Sequence, residues 1–171
     1  EKELVNIIRS LSTVHVFKRR KSYDASLVNM SRREMKQLKV IALGVSTGGP
    51  EVLTKIIKGL RINFTVPIVI VIHITEGMLM SLISFLQNLT NIEMVIAKDD
   101  EHLEANKVYF APDHKHTLIT RQGESVVVSL DDSPPVGYFK PAINKLFQSL
   151  ADNYPKESVS GILTGMGDDG T

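Results

Sequence analysis

The feature that most restricts the fold is the apolar run Val40, Ile41, Ala42, Leu43, Gly44 and Val45, which passes directly into Ser46, Thr47, Gly48, Gly49 and Pro50. The run is short, apolar and suited to a pleated, fully buried strand. The glycines that follow allow a sharp turn, and Pro50 with Glu51 suits the first turn of a helix. Val52, Leu53, Ile56, Ile57 and Leu60 then share one helical face and leave Lys55 and Lys58 outside it. Strand, tight turn and helix in this order predict an α/β fold.

Residues 44–48 fit G-x-S-x-G, the pattern of a nucleophile elbow, in which a sharp turn holds the serine hydroxyl clear of the sheet. The helix start beside it offers backbone N–H groups and a favourable dipole to a developing anion. The same residues fit a purely structural βα turn equally well. A phosphate loop fits worse, since neither a Gly-Lys-Ser/Thr ending nor G-x-G-x-x-G spacing is present.

A second, almost continuous apolar run over residues 66–72 ends in His73, again as a strand buried on both faces would. Ligand crevices of open α/β sheets lie beyond the carboxyl ends of the strands, so Ser46 and His73 are expected at one edge. A lone histidine there serves equally well as a structural hydrogen-bonding residue. Residues 78–89 carry a methionine and leucine stripe that reads as helix core. Residues 93–97 and 107–111 read as strands, joined by an acidic, solvated loop over 99–104 that lacks calcium-loop spacing. Residues 117–120 and 125–130 flank a turn and predict a β-hairpin. His114 and His116 would point to one side of an extended segment, as zinc ligands sometimes do, but no third ligand is identifiable. Pro141 opens a further helix through Leu150, residues 159–164 form a last strand, and Gly165, Met166, Gly167, Asp168, Asp169 and Gly170 follow at the same sheet edge.

The chain has 171 residues, 43% of them hydrophobic, enough for one sizeable core, and no cysteine, which excludes disulfides, thiolate metal sites and cysteine nucleophiles. No apolar run is long enough to span a bilayer and no secretory pattern opens the chain, so the cytoplasm is the default compartment. The net charge of +1 hides an asymmetry: residues 1–39 hold ten basic against four acidic residues, the remainder ten against fifteen. Leu4, Ile7, Ile8 and Leu11 predict a short amphipathic helix, and residues 13–39 read as a basic linker with a helical turn around 31–38. One short basic run, Lys18 to Lys21, without a binding fold is weak ground for nucleic-acid recognition.

Three strand ends therefore offer a serine, a histidine and a carboxylate, the parts of a nucleophilic triad. Their chain order differs from that of α/β-hydrolases. Taken with residues 44–49, Tyr109 to Pro112, Lys115 and His116, Asp132 to Val136, and Ile162 to Gly170, they resemble the catalytic domain of CheB-type protein-glutamate methylesterases of bacterial chemotaxis, in register from about Val40 to Thr171. The resemblance implies a three-layer, doubly wound, mostly parallel sheet with an antiparallel hairpin and an active site at the carboxyl strand edge. It implies hydrolysis of glutamyl methyl esters on chemoreceptors, with deamidation of glutamines alongside, and no metal or organic cofactor. By position Ser46 would be the nucleophile, His73 the general base and Asp169 the orienting carboxylate. Asp168 is the rival that spacing alone leaves open. The Met166 N–H would stabilise the oxyanion, and Thr47 would border the site.

The resemblance further implies that residues 1–39 are the last helix of a receiver domain plus the interdomain linker, the receiver being phosphorylated by a chemotaxis histidine kinase. Residues 40–171 would be a catalytic domain cut short at its C-terminus; were Thr171 the true end, Asp169 would lie on an unsupported terminus. The family's His-Met-Pro is His73, Ile74 and Thr75 here, and its Arg-Pro-Ser-Val-Asp is Lys140, Pro141, Ala142, Ile143 and Asn144. The latter change puts the substrate groove in question, since lysine lacks the arginine fork and asparagine the aspartate charge. A catalytically silent receptor-binding homologue and a serine hydrolase with another substrate are the alternatives.

Overall fold

The structure, a computed structural model, describes residues 38–60, 64–165 and 167–170. The expected helix over 1–12 and the basic linker up to residue 37 lie outside them. The described elements are β1 (Val40–Val45), α1 (Gly49–Gly59), β2 (Ile68–Ile72), α2 (Leu79–Gln87), β3 (Glu93–Ile96), β4 (Lys107–Phe110), β5 (His116–Gln122), β6 (Ser125–Asp131), α3 (Ile143–Asn153) and β7 (Ser158–Thr164).

Five strands pair in parallel in the order β3-β4-β2-β1-β7, and β5 and β6 form a separate antiparallel hairpin. The strand β2 shows why the sheet sits at the centre. All five of its residues are buried, and alternate side chains go to opposite faces. Ile68, Ile70 and Ile72 pack with Leu53 and Ile57 of α1 and with Leu79, Leu82, Ile83 and Leu86 of α2. Val69 and Val71 pack on the other face with Ile143, Leu146 and Leu150 of α3 and with Ile119, Val126 and Val128 of the hairpin. Each such burial stabilises the fold by about 1.5–3 kcal/mol. The three-layer α/β architecture with its hairpin is thus the one expected. The strand β2 begins two residues later than the apolar run because Pro67 has no N–H to donate, and its carbonyl instead accepts from Ile41 N–H at 3.0 Å.

The hairpin is fastened to α3 through polar groups. Ser149 Oγ accepts from the Ile119 N–H at 2.9 Å, and the Tyr154 hydroxyl reaches the carbonyls of Thr120 and Ser125. The acidic loop over 99–104 is mostly exposed, as its composition suggests, and is also tied to the hairpin. His102 forms a bridge with Val127, Leu103 N–H donates to Val126 O at 2.8 Å, and the Asp99 carboxylate accepts from Leu130 N–H at 2.7 Å. The loop satisfies backbone groups on the hairpin that would otherwise face solvent.

Candidate active site

β1 and β2 run in register from Ile41 opposite Ile68 to Val45 opposite Ile72. His73 N–H donates to Val45 O at 2.8 Å, so the pairing continues to the point where both strands end. Ser46 and His73 are the next residues along adjacent strands, whose spacing is about 4.8 Å. On the other side of β1, Ser46 N–H donates to Thr164 O at 3.0 Å, and a Cβ built on Gly165 would lie 3.3 Å from Ser46 Cβ. Ser46 is therefore held between the ends of β2 and β7.

The turn after Ser46 is closed by Gly49 N–H donating to Ser46 O at 2.8 Å, with Gly48 in the left-handed region at φ 78° as the N-cap of α1. The residue at positive φ in this turn is thus a glycine, which adopts it without strain. Ser46 is not among the described non-glycine residues with positive φ, so the G-x-S-x-G pattern yields a strand-turn-helix without a strained serine. Ser46 is half-buried and Thr47 is exposed at the same turn.

Asp169 meets His73. The imidazole Nε2 lies 3.0 Å from Asp169 Oδ2, and the two side chains are 13% and 6% exposed. Nε2 is buried and at ion-pair distance, yet no hydrogen bond to it is well aligned. Asp168, the alternative carboxylate, is exposed. Met166 lies outside the described residues.

What holds Asp169 is the start of α3. The N-cap residue of that helix is Ala142, which has no side-chain acceptor for the free N–H groups of the first turn. The Asp169 carboxylate takes that place from 26 residues away: Ile143 N–H donates to Oδ2 at 2.7 Å and Asn144 N–H to Oδ1 at 2.8 Å. Burial pushes the Asp169 carboxyl up, but His73 and the N–H groups of Asn144 and Ile143 outweigh it and hold the group below its ordinary value. The Asn144 side chain accepts from Gly170 N–H at 2.9 Å and fixes the neighbouring backbone as well. Asp169 is therefore supported rather than left on a loose end. Asn144 thus bears on the carboxylate loop.

Sequence reasoning missed Phe139. Its ring stacks on the His73 imidazole with centroids 4.0 Å apart and planes 5° apart. Beside this pair opens a cleft of about 330 Å³ lined by Thr75, Glu76, His114, Tyr138 and Lys140, among others. Glu76 Oε1 and His114 Nε2 are 2.9 Å apart on its exposed wall. Lys140 lines the cleft with its Nζ tied back to Asp132 O at 2.8 Å. No sequence signal marks Phe139, but the missing N-cap of α3 was a readable sign that some distant acceptor must complete that helix.

The two histidines considered as zinc ligands separate. His114 is exposed with φ 63° and faces Glu76, while His116 is fully buried. Its Nδ1 accepts from Ala142 N–H at 3.1 Å and its Nε2 lies 3.1 Å from Pro134 O, a structural role that braces the entry to α3.

The CheB methylesterase family model matches residues 41–171. Among curated proteins, the protein-glutamate methylesterase/protein-glutamine glutaminase 2 of Methanospirillum hungatei is 35% identical over 98% of this chain and 49% of its own length. The corresponding protein of Oceanobacillus iheyensis is 33% identical over 98% of this chain and 48% of its own. The chain spans about half the length of these relatives. The crystal structure of the Thermotoga maritima CheB methylesterase catalytic domain superposes with a TM-score of 0.73 at 36% identity, covering 78% of this chain and 71% of that one.

Proposed function

Because the chain belongs to the CheB methylesterase family, we propose that it hydrolyses glutamyl methyl esters on the cytoplasmic domains of chemoreceptors, releasing methanol, and deamidates receptor glutamines with the same residues. The observation that carries this reading is the contact of His73 Nε2 with Asp169 at 3.0 Å, beside the strand end that bears Ser46. Ser46 is the nucleophile, His73 the general base and Asp169 the carboxylate that orients the ring. With Nε2 turned to the carboxylate, Nδ1 is the nitrogen that takes the serine proton. As Oγ bonds to the ester carbon, that proton passes to His73 and then to the departing methoxide, which leaves as methanol. Water, deprotonated by the same imidazole, then cleaves the acyl-serine and restores the hydroxyl. The imidazolium formed midway is stabilised by Asp169, whose own lowered proton affinity keeps it ionised throughout. In this reading the Met166 N–H helps to stabilise the oxyanion and Thr47 borders the site.

Residues 1–39 link this domain to a receiver whose phosphorylation by a chemotaxis histidine kinase governs access to the site, and the protein works in the cytoplasm. Among the described residues no helix is long and apolar enough to cross a membrane. Methanol release from methylated receptor membranes tests the proposal. Wild type is expected to exceed Ser46→Ala by at least about 10³-fold, and equal rates would end it. Turnover of small esters without receptors as substrates would point to another ester instead.

A further inference from the structure

We propose that Phe139 is a positioning residue for the His73 imidazole, a role that rests on the esterase reading above. The carboxylate holds the ring from one edge only. Asp169 touches one edge, at Nε2, and without a well-aligned hydrogen bond, so tilting of the imidazole plane is not opposed from that side. Phe139 opposes it from the face, with parallel planes at a centroid distance of 4.0 Å. The edge contact and the face contact together define the ring's orientation.

The phenyl ring is itself held by backbone. Val136 N–H donates to Phe139 O at 3.1 Å and Phe139 N–H to Val136 O at 3.0 Å, closing a two-residue turn. Positive φ falls only on its first central residue, Gly137 at 60°, the type II′ pattern. Four residues after Phe139 the chain enters α3, whose first N–H groups hold Asp169. One short segment thus supplies both the face and the edge support of the imidazole. The stack also gains strength when it is needed: a ring face attracts a cation, so Phe139 favours the imidazolium present while the serine proton is in transit, and it keeps bulk water from that face.

Phe139→Leu fills similar space without a flat face, and Phe139→Tyr keeps the face. Kinetics of the full chain with p-nitrophenyl acetate are combined with proton NMR of the His73 ring, where the stacked phenyl produces a ring-current shift. Phe139→Leu is expected to lose that shift and to lower kcat roughly tenfold with KM within about twofold, while Phe139→Tyr retains both shift and kcat. A Phe139→Leu enzyme with wild-type kcat would reduce the residue to packing and overturn the proposal. So would an unchanged His73 resonance in Phe139→Leu, since the stack would then be absent in solution. A wild type no faster than Ser46→Ala would overturn the esterase reading and the proposal with it, an outcome distinct from the other two.

Discussion

Ser46 and His73 are placed by one kind of structure, and Asp169 and Phe139 by another. The first two extend adjacent strands of a parallel sheet, and their positions follow from a ladder that runs unbroken from Ile41 and Ile68 to the Val45 carbonyl and the His73 N–H. The second two sit on irregular backbone with no strand of their own. Asp169 is fixed by the first N–H groups of α3 and Phe139 by the turn that leads into it. The sheet half depends on many cooperative contacts spread over a ladder and two core faces. The other half depends on a few hydrogen bonds that converge near Ile143 and Asn144, so single changes there should disturb chemistry and stability together.

Asp169→Asn should separate the halves most sharply. It keeps the shape but removes the charge that both His73 and the start of α3 use, so ester turnover should fall on the order of 10³- to 10⁴-fold. Stability should fall by about 1 kcal/mol through the weakened cap, whereas Ser46→Ala should leave stability unchanged. The pH dependence has a definite sign. The folded-state proton affinity of Asp169 is lowered, so its stabilisation is complete above the ordinary carboxylate value of about 3.9 and disappears as pH falls through the lower folded value. Thermal melts of wild type and Asp169→Asn should therefore differ by a constant amount near neutrality and converge below about pH 4. A gap that persisted into strong acid would show that the charge is not what holds α3.

Gly44→Ala tests whether the halves are joined. A Cβ on Gly44 would lie 2.6 Å from Ile143 Cγ2, so a methyl group on the central strand must displace the residue whose N–H holds Asp169. Overpacking of this kind costs about 1–3 kcal/mol, readable by denaturant unfolding. If the displacement reaches the carboxylate, kcat should fall roughly tenfold or more although the substitution touches no reacting group. Loss of stability with full kcat would mean that the two halves are mechanically independent.

The same division explains what could be read from the chain beforehand. Buried parallel strands write themselves as apolar runs, so β1, β2 and the positions of Ser46 and His73 at one edge followed from hydropathy and strand polarity. Asp169 was separable from Asp168 only by family resemblance, since adjacent carboxylates on a loop carry no periodicity. Phe139 was invisible because its partner is 66 residues away in sequence and its turn has no pattern beyond a glycine. The hold of Asn144 on the carboxylate loop was equally unreadable, because sequence position shows which helix a residue begins, not which loop folds back upon it.

Tyr138 offers the smallest and most selective test. The turn that directs Phe139 inward presents Tyr138 to solvent, 98% exposed, at the rim of the cleft beside His73. An aromatic side chain left fully in water on a backbone fixed by two hydrogen bonds gains nothing for the fold, but it is preorganised to bury area against a partner. Tyr138→Ala should therefore leave thermal stability and small-ester hydrolysis unchanged while raising KM for methylated receptor about threefold to tenfold, the equivalent of about 1 kcal/mol of binding. A matching loss on the small ester would place Tyr138 with Phe139 as support for the imidazole. An unchanged KM on receptor would mean that the outer face of the turn is not where the protein substrate lies.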